Sequence, residues 1–135
     1  MYIRDAVPAT AYQNEIVNPS TTNTTDNATT YSAKIGLMYV SDYGFAASPS
    51  AWTITMYNYD TSTATSNNWM HMGYHEWTIS RFSNYSDYAF YVTGDGFVDN
   101  LNVGNSLSVR PSFTLLSSVS YASGSGTQSD PIRIV

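Results

Sequence analysis

Two runs of alternating apolar and polar residues, 88–93 (YAFYVT) and 97–103 (FVDNLNV), flank the tripeptide Gly94-Asp95-Gly96. Alternation with a period of two marks a half-buried strand, and a Gly/Asp turn between two such runs closes them into an antiparallel hairpin. A chain committed to a hairpin must build a sheet, here with Phe90 and Val92 on the core face and Ala89 and Tyr91 on the other. Further short strands are expected at 33–40, 76–80, 109–116 and 131–135, with Pro111 marking an edge or a bulge. Ser41-Asp42-Tyr43-Gly44 reads as a turn, and 124–130 (GSGTQSD) as a loop. Residues 51–59 suit a strand or a short helix. Residues 9–16 form one helical stretch, opened by Pro8 and stopped by Pro19. The sum is an α+β chain dominated by short strands, with long irregular loops and little helix.

Composition narrows this further. The 135 residues fit one domain, and about half of them are Ser, Thr, Asn, Gly or Tyr. Such a chain is neither a coiled coil nor a helical bundle, and with its aromatic content it is not an ordinary disordered tail. The absence of cysteine excludes disulfides, thiolate zinc sites, iron–sulfur clusters and cysteine nucleophiles, so packing alone must hold the fold. With one lysine, four arginines and a net charge of −5, no basic surface exists to neutralise phosphates, which argues against nucleic acid as a partner. No apolar run reaches the roughly 18–20 residues of a membrane span, and the first residues lack the basic start and apolar stretch of a signal peptide. A lysine-poor surface rich in Ser, Thr, Asn and Tyr suits an extracellular or cell-surface module, read as the mature part of something longer.

The chain divides at 32/33. Residues 1–32 make an N-terminal arm and a polar loop centred on PSTTNTTDNATT, with no large apolar side chain between Val17 and Tyr31. Asn23, Asn27 and Asn84 head glycosylation sequons, a pattern that recurs by chance in so Asn- and Thr-rich a chain.

Three stretches stand in fixed order in the remainder: Trp77-Thr78-Ile79-Ser80-Arg81, then Ala89-Phe90-Tyr91-Val92 with Gly96-Phe97-Val98, then Val109-Arg110-Pro111-Ser112-Phe113. Together with the opening KIGLMYVSDYGFA and the closing GSGTQSDPIRI, this resembles the C-terminal region of bacterial surface and pilin-associated proteins of the C-type-lectin-like fold. It is similar in particular to the variable proteins diversified by retroelements, over residues 33–135. The resemblance implies small twisted sheets carrying long loops that present a ligand-binding face. Formylglycine-generating oxidases share that fold but need cysteines, which this chain lacks. Calcium-dependent lectins of the fold use Glu-Pro-Asn or Gln-Pro-Asp with Trp-Asn-Asp, and none of these occurs here.

Independently of any family, the segments 67–75 and 82–108 have the composition of antibody paratopes, in which Tyr supplies contact area at small entropy cost and Ser, Asn and Gly supply adaptable hydrogen bonds. Tyr74, His75, Phe82, Asn84, Tyr85, Tyr91, Thr93, Asp95, Asp99, Asn100, Asn105 and Ser106 are the candidate ligand-binding residues. Trp77, Arg81, Phe90 and Arg110 are read as structural, Arg110 as a fork tying loop carbonyls or a carboxylate such as Asp42 or Glu76. The alternative is that the same residues only solubilise loops. His71 and His75 have the four-residue spacing of metal ligands without the His-Glu-x-x-His pattern, and a surface or capping role is favoured. Asp95, Asp99 and Asn102 lack the ligand ladder of a calcium loop and read as hairpin-turn residues. No Ser/His/Asp order, phosphate loop or close carboxylate pair is present, and no enzymatic activity is expected.

The expected function is therefore surface-displayed, adhesin-like recognition of a protein or other macromolecule, non-covalent and without a cofactor. The alternative is a structural subunit of an extracellular pilin-like filament, which self-associates and offers its N-terminal arm to a neighbour.

Overall fold

The Gly-Asp-Gly signal becomes β3 (Tyr88–Val92) and β4 (Val98–Asn102), paired antiparallel with Tyr91 opposite Asp99 and Val92 opposite Val98. Gly96 adopts φ +95°, the left-handed backbone that a turn of this kind assigns to glycine. A computed structural model describes residues 5–17, 32–60 and 62–135. The helix stop at Pro19, the polar loop and the sequons at Asn23 and Asn27 lie outside the described residues.

β2 (Glu76–Arg81) adds to the other edge of β3 and completes a three-stranded antiparallel sheet in the order β2-β3-β4. Its register slips between Trp77 and Arg81. At the slip Thr78 takes over from the backbone: its hydroxyl donates to the Phe90 carbonyl at 2.8 Å and accepts the Ser80 N–H at 3.2 Å. A bulge thereby leaves neither buried group unpaired. Burial still alternates along β2, with Thr78 and Ser80 inward and Trp77, Ile79 and Arg81 outward.

The inward face carries Phe90, Val92 and Val98 against α2 (Val40–Phe45) and the irregular segment that follows it. Val40, Tyr43, Met56 and Tyr59 are fully buried there. The two buried phenols keep partners: Tyr43 donates to the Gly96 carbonyl at 2.7 Å, and Tyr59 donates to the carbonyls of Ala51 and Gly44. Burial raises both phenols above their ordinary pKa, Tyr59 to about 12. Gly44 must be glycine for space: a Cβ there would sit 2.7 Å from the Met56 sulfur and from Pro8.

Sequence and structure part company before β2. Of the strand expected at 33–40 only β1 (Gly36–Leu37) forms, and the expected turn 41–44 is the middle of helix α2. Residues 51–59 are neither strand nor one helix. They hold two 3-10 turns, Pro49–Ala51 and Met56–Asn58, followed by helix α3 (Ser62–Ser66). The N-terminal helix α1 (Pro8–Tyr12) begins on its proline as expected and widens into a π-helical turn, Gln13–Val17. Ala11 of α1 belongs to the same apolar core as Phe90, so helix α1 packs as part of the body.

After β4 the chain returns across the sheet to the free edge of β2, where Trp77 donates to the Ser108 carbonyl and Ser108 to that of His75. It then forms β5 (Pro111–Ser112), antiparallel to β1, and a separate two-stranded hairpin of β6 (Tyr121–Ser123) and β7 (Arg133–Ile134). The strand expected at 109–116 is thus reduced to two residues. Among the described residues the architecture is a small α+β arrangement of three small sheets and few helices, with 22% helix and 23% strand. No helix among the described residues is long and apolar enough to cross a membrane.

Candidate functional site

Because side chains alternate across a strand, the register that buries Phe90 and Val92 turns Tyr91 outward, and the pairing sets Trp77 on one side of it and Asp99 on the other. Trp77, Tyr91 and Asp99 therefore form one row across the outer face of the sheet. The Trp77 and Tyr91 rings meet edge to face with centroids 6.0 Å apart, and the His75 ring extends the row at 5.8 Å from Tyr91. Tyr91 is half-buried, and burial, reinforced by the neighbouring Asp99 charge, lifts its phenol above the ordinary tyrosine pKa.

His75 is held by the tight turn. The Gly94 N–H points to His75 Nδ1 at 3.4 Å, and His71 Nε2 donates to the Gly94 carbonyl at 3.1 Å. The two histidines thus brace the two backbone polar groups of one residue, Gly94, and no group of three His, Cys, Asp or Glu among the described residues converges on a common point. Beside His75 lies a shallow, open depression of about 380 Å³ lined by Tyr74, His75, Ser106, Leu107 and Ser108. Its floor exists because the returning chain is bonded to β2 at His75 and Trp77.

Of the residues singled out from sequence, Tyr74, His75, Tyr91, Asp99 and Ser106 are brought to this end of the sheet. Asn105 lies one residue outside the depression, with its amide on the Asn102 carbonyl at 3.0 Å. Asp95 is exposed at the tip of the β3–β4 turn. Asn84 and Tyr85 are exposed in the β2–β3 connection, at the other end of the sheet, where Tyr85 stacks on Phe82 at 5.9 Å.

Three of the candidates take other places. Phe82 is buried, edge to face with Phe90 at 5.6 Å, and belongs to the core. Thr93 is buried too, its hydroxyl accepting the Phe97 N–H and closing the turn from inside. Phe82 faces the interior by the same alternation as Thr78 and Ser80, and Thr93 because the chain reverses there, so neither offers a ligand any surface. Asn100 pairs with Phe90 and so sits on the opposite side of β4 from Asp99. Its backbone N–H donates to the Asp99 carboxylate at 2.8 Å.

Trp77 was assigned to the scaffold by sequence, yet its half-exposed ring is part of the outer row. Phe90 is fully buried and Arg81 is exposed at the far end of β2. Arg110 Nη2 lies 2.5 Å from the buried Glu76 carboxylate and 2.7 Å from the Met70 carbonyl, tying the returning chain to β2 and to the segment before it. Leu107 and Ser108, both within the expected segment 82–108, line the depression without having been singled out as ligand-binding residues. They reach the site through a parallel bridge between Glu76 and Ser108, 32 positions apart, which leaves no local signal. Comparison with protein-family models, with curated proteins and with solved structures returns no match to this chain.

Proposed function

We propose that this chain is a surface-displayed recognition module of the C-type-lectin-like kind, which binds a protein partner non-covalently through the outer face of the β2-β3-β4 sheet. The observation that carries this reading is the row His75, Tyr91, Trp77 and Asp99, held in register by the strands and opening onto the depression beside Tyr74 and Ser106. Aromatic groups on a rigid platform, with amides and hydroxyls around them, are what interface hot spots are made of. Tyr and Trp lose few rotamers on binding, so a preset row costs little to engage. The depression is open and shallow, which suits a protein surface better than a buried small molecule. Display outside the cell is supported by the lysine-poor, hydroxyl-rich composition.

The test is differential capture. Immobilised wild-type protein and the variants Tyr91→Ala, Trp77→Ala and Trp69→Ala, each checked by circular dichroism, are presented with solubilised cell-surface protein. The reading predicts a species retained by wild type and by Trp69→Ala and lost, at least tenfold, with Tyr91→Ala and Trp77→Ala. Equal retention by all four proteins overturns it.

A further inference from the structure

One carboxylate ends the aromatic row on the outer face of the sheet. The β3–β4 register sets Asp99 directly opposite Tyr91, and the β2–β3 register sets Trp77 opposite Tyr91 on its other side. Directly opposed residues hold their Cβ atoms about 4.5–5.5 Å apart. A group lying over the Tyr91 ring is therefore within reach of an indole on one side and a carboxylate on the other. The strands fix all three positions before anything binds.

The two rings form walls. Trp77 and Tyr91 meet at 67° with their centroids 6.0 Å apart, and an edge-to-face pair of this kind leaves a corner bounded by two ring faces. Those faces carry the negative part of the ring quadrupole, so they attract a cation that comes within about 6 Å of the centroid. Asp99 adds a full charge. Its Oδ1 accepts the Asn100 backbone N–H at 2.8 Å and the Asn100 side-chain amide at 3.3 Å, which orients the carboxylate. The Tyr91 phenol, raised first by burial, is raised again by that charge, so ring and carboxylate share one electrostatic environment. The chain as a whole carries −5, which draws a cation towards it. Arg110 is bound to the buried Glu76 carboxylate, and Arg133 lies beside Asp130 in the separate β6–β7 hairpin.

We infer that the partner of this face presents an arginine, its guanidinium stacked on Tyr91 in the corner with Trp77 and its N–H fork turned to the Asp99 carboxylate. The inference rests on the reading of this face as a recognition surface and names the group that the surface takes. Arginine is selected over lysine by shape and hydration. A guanidinium is planar and weakly hydrated, so one of its faces lies on a ring while the N–H groups at its edge reach a carboxylate beside that ring. An ammonium is a compact, strongly hydrated point charge and gains less from the same corner.

The test is a titration followed by amide and indole NMR on the isotopically labelled full chain. The probe is acetyl-arginine-amide, taken to about 100 mM at constant ionic strength, because one exposed cation–π contact with one exposed ion pair binds weakly. Acetyl-citrulline-amide, which keeps the shape without the charge, and acetyl-lysine-amide are run beside it. The Trp77 indole N–H and the Tyr91 and Asp99 amides are expected to shift at least about threefold further with the arginine probe than with either of the others. Asp99→Asn and Tyr91→Ala, each checked by circular dichroism, are expected to abolish that difference. Equal response to arginine and citrulline overturns the proposal, as does equal response to lysine, an arginine response that survives Asp99→Asn, or shifts confined to other parts of the chain. The two readings fail separately. A partner captured through Tyr91 and Trp77 while the arginine probe leaves the row unmoved refutes the arginine and spares the recognition surface. A probe that binds the row while all four immobilised proteins retain the same species does the reverse.

Discussion

The carboxylate of Glu15 accepts the backbone N–H of Ser41 at 3.0 Å, and its other oxygen accepts that of Val40 at 3.1 Å and the Ser80 hydroxyl. One side chain from the N-terminal π-helical turn thereby satisfies the first N–H groups of α2 and ties both to β2.

This tie has a pH signature. Burial raises the Glu15 pKa above 4.5, outweighing the hydrogen bonds from Ser41, Ser80 and Val40 that lower it. A carboxyl whose folded pKa lies above its unfolded value binds protons more readily in the fold, so its contribution to stability grows as pH falls from neutral through the folded pKa and is complete below the unfolded one. Urea unfolding midpoints measured from pH 7 down to about 4.5 should show this gain in wild type and lose it in Glu15→Gln. Glu15→Ala strands the Ser41 N–H, whereas the Val40 N–H keeps the Ser80 hydroxyl at 3.1 Å, and should cost about 1–3 kcal/mol at every pH in that window.

The hairpin turn is a second point of dependence. The Tyr43 hydroxyl is the buried partner of the Gly96 carbonyl, so Tyr43→Phe should lower the unfolding free energy by about 1–3 kcal/mol. Gly96→Ala combines a left-handed φ with a Cβ 2.6 Å from the Thr65 side chain, and should cost at least about 1–2 kcal/mol. Chemical denaturation of the two variants checks both.

How far the sequence announced this structure depends on where the determining contacts lie. The β3–β4 hairpin was legible because its signal is local: alternation on both arms and a Gly-Asp-Gly turn between them. Helix α2 was not, because Val40, Tyr43 and Phe45 favour strand and Ser-Asp-Tyr-Gly favours a turn. What makes it a helix is the Tyr39 N–H on the Asp42 carboxylate, and Glu15 from 25 residues away. Composition reads Phe82 and Thr93 as surface, whereas Phe82 continues the inward parity of Thr78 and Ser80 and the closure of the turn carries Thr93 inside. Strand parity alone places Tyr91 outward, whereas Asp99 enters only through the composition of segment 82–108, and the β3–β4 register sets it beside Tyr91.

The Arg110–Glu76 pair is a third prediction. Glu76 is buried and Arg110 only partly so. Removing one partner leaves the other without its counter-charge, so Glu76→Ala or Arg110→Ala should each cost about 2–4 kcal/mol, less than a fully buried pair would. The double variant Glu76→Leu/Arg110→Met should be more stable than either single variant. A double-mutant cycle by urea denaturation measures the coupling.

Tyr91 reports on the binding face itself. Its phenol is raised by burial and then by the Asp99 charge, so Asp99→Asn should bring its pKa down without restoring the ordinary value. Ultraviolet titration of wild type, Asp99→Asn and Tyr91→Phe isolates that one phenol by difference.

The most direct measurement of the recognition reading is hydrogen–deuterium exchange of the full chain with and without the partner retained in differential capture. The account predicts that binding slows exchange in peptides covering residues 74–77, 91–99 and 106–108. Slowing confined to residues 38–46, 69–70 and 113–135, with the sheet face unchanged, would contradict it.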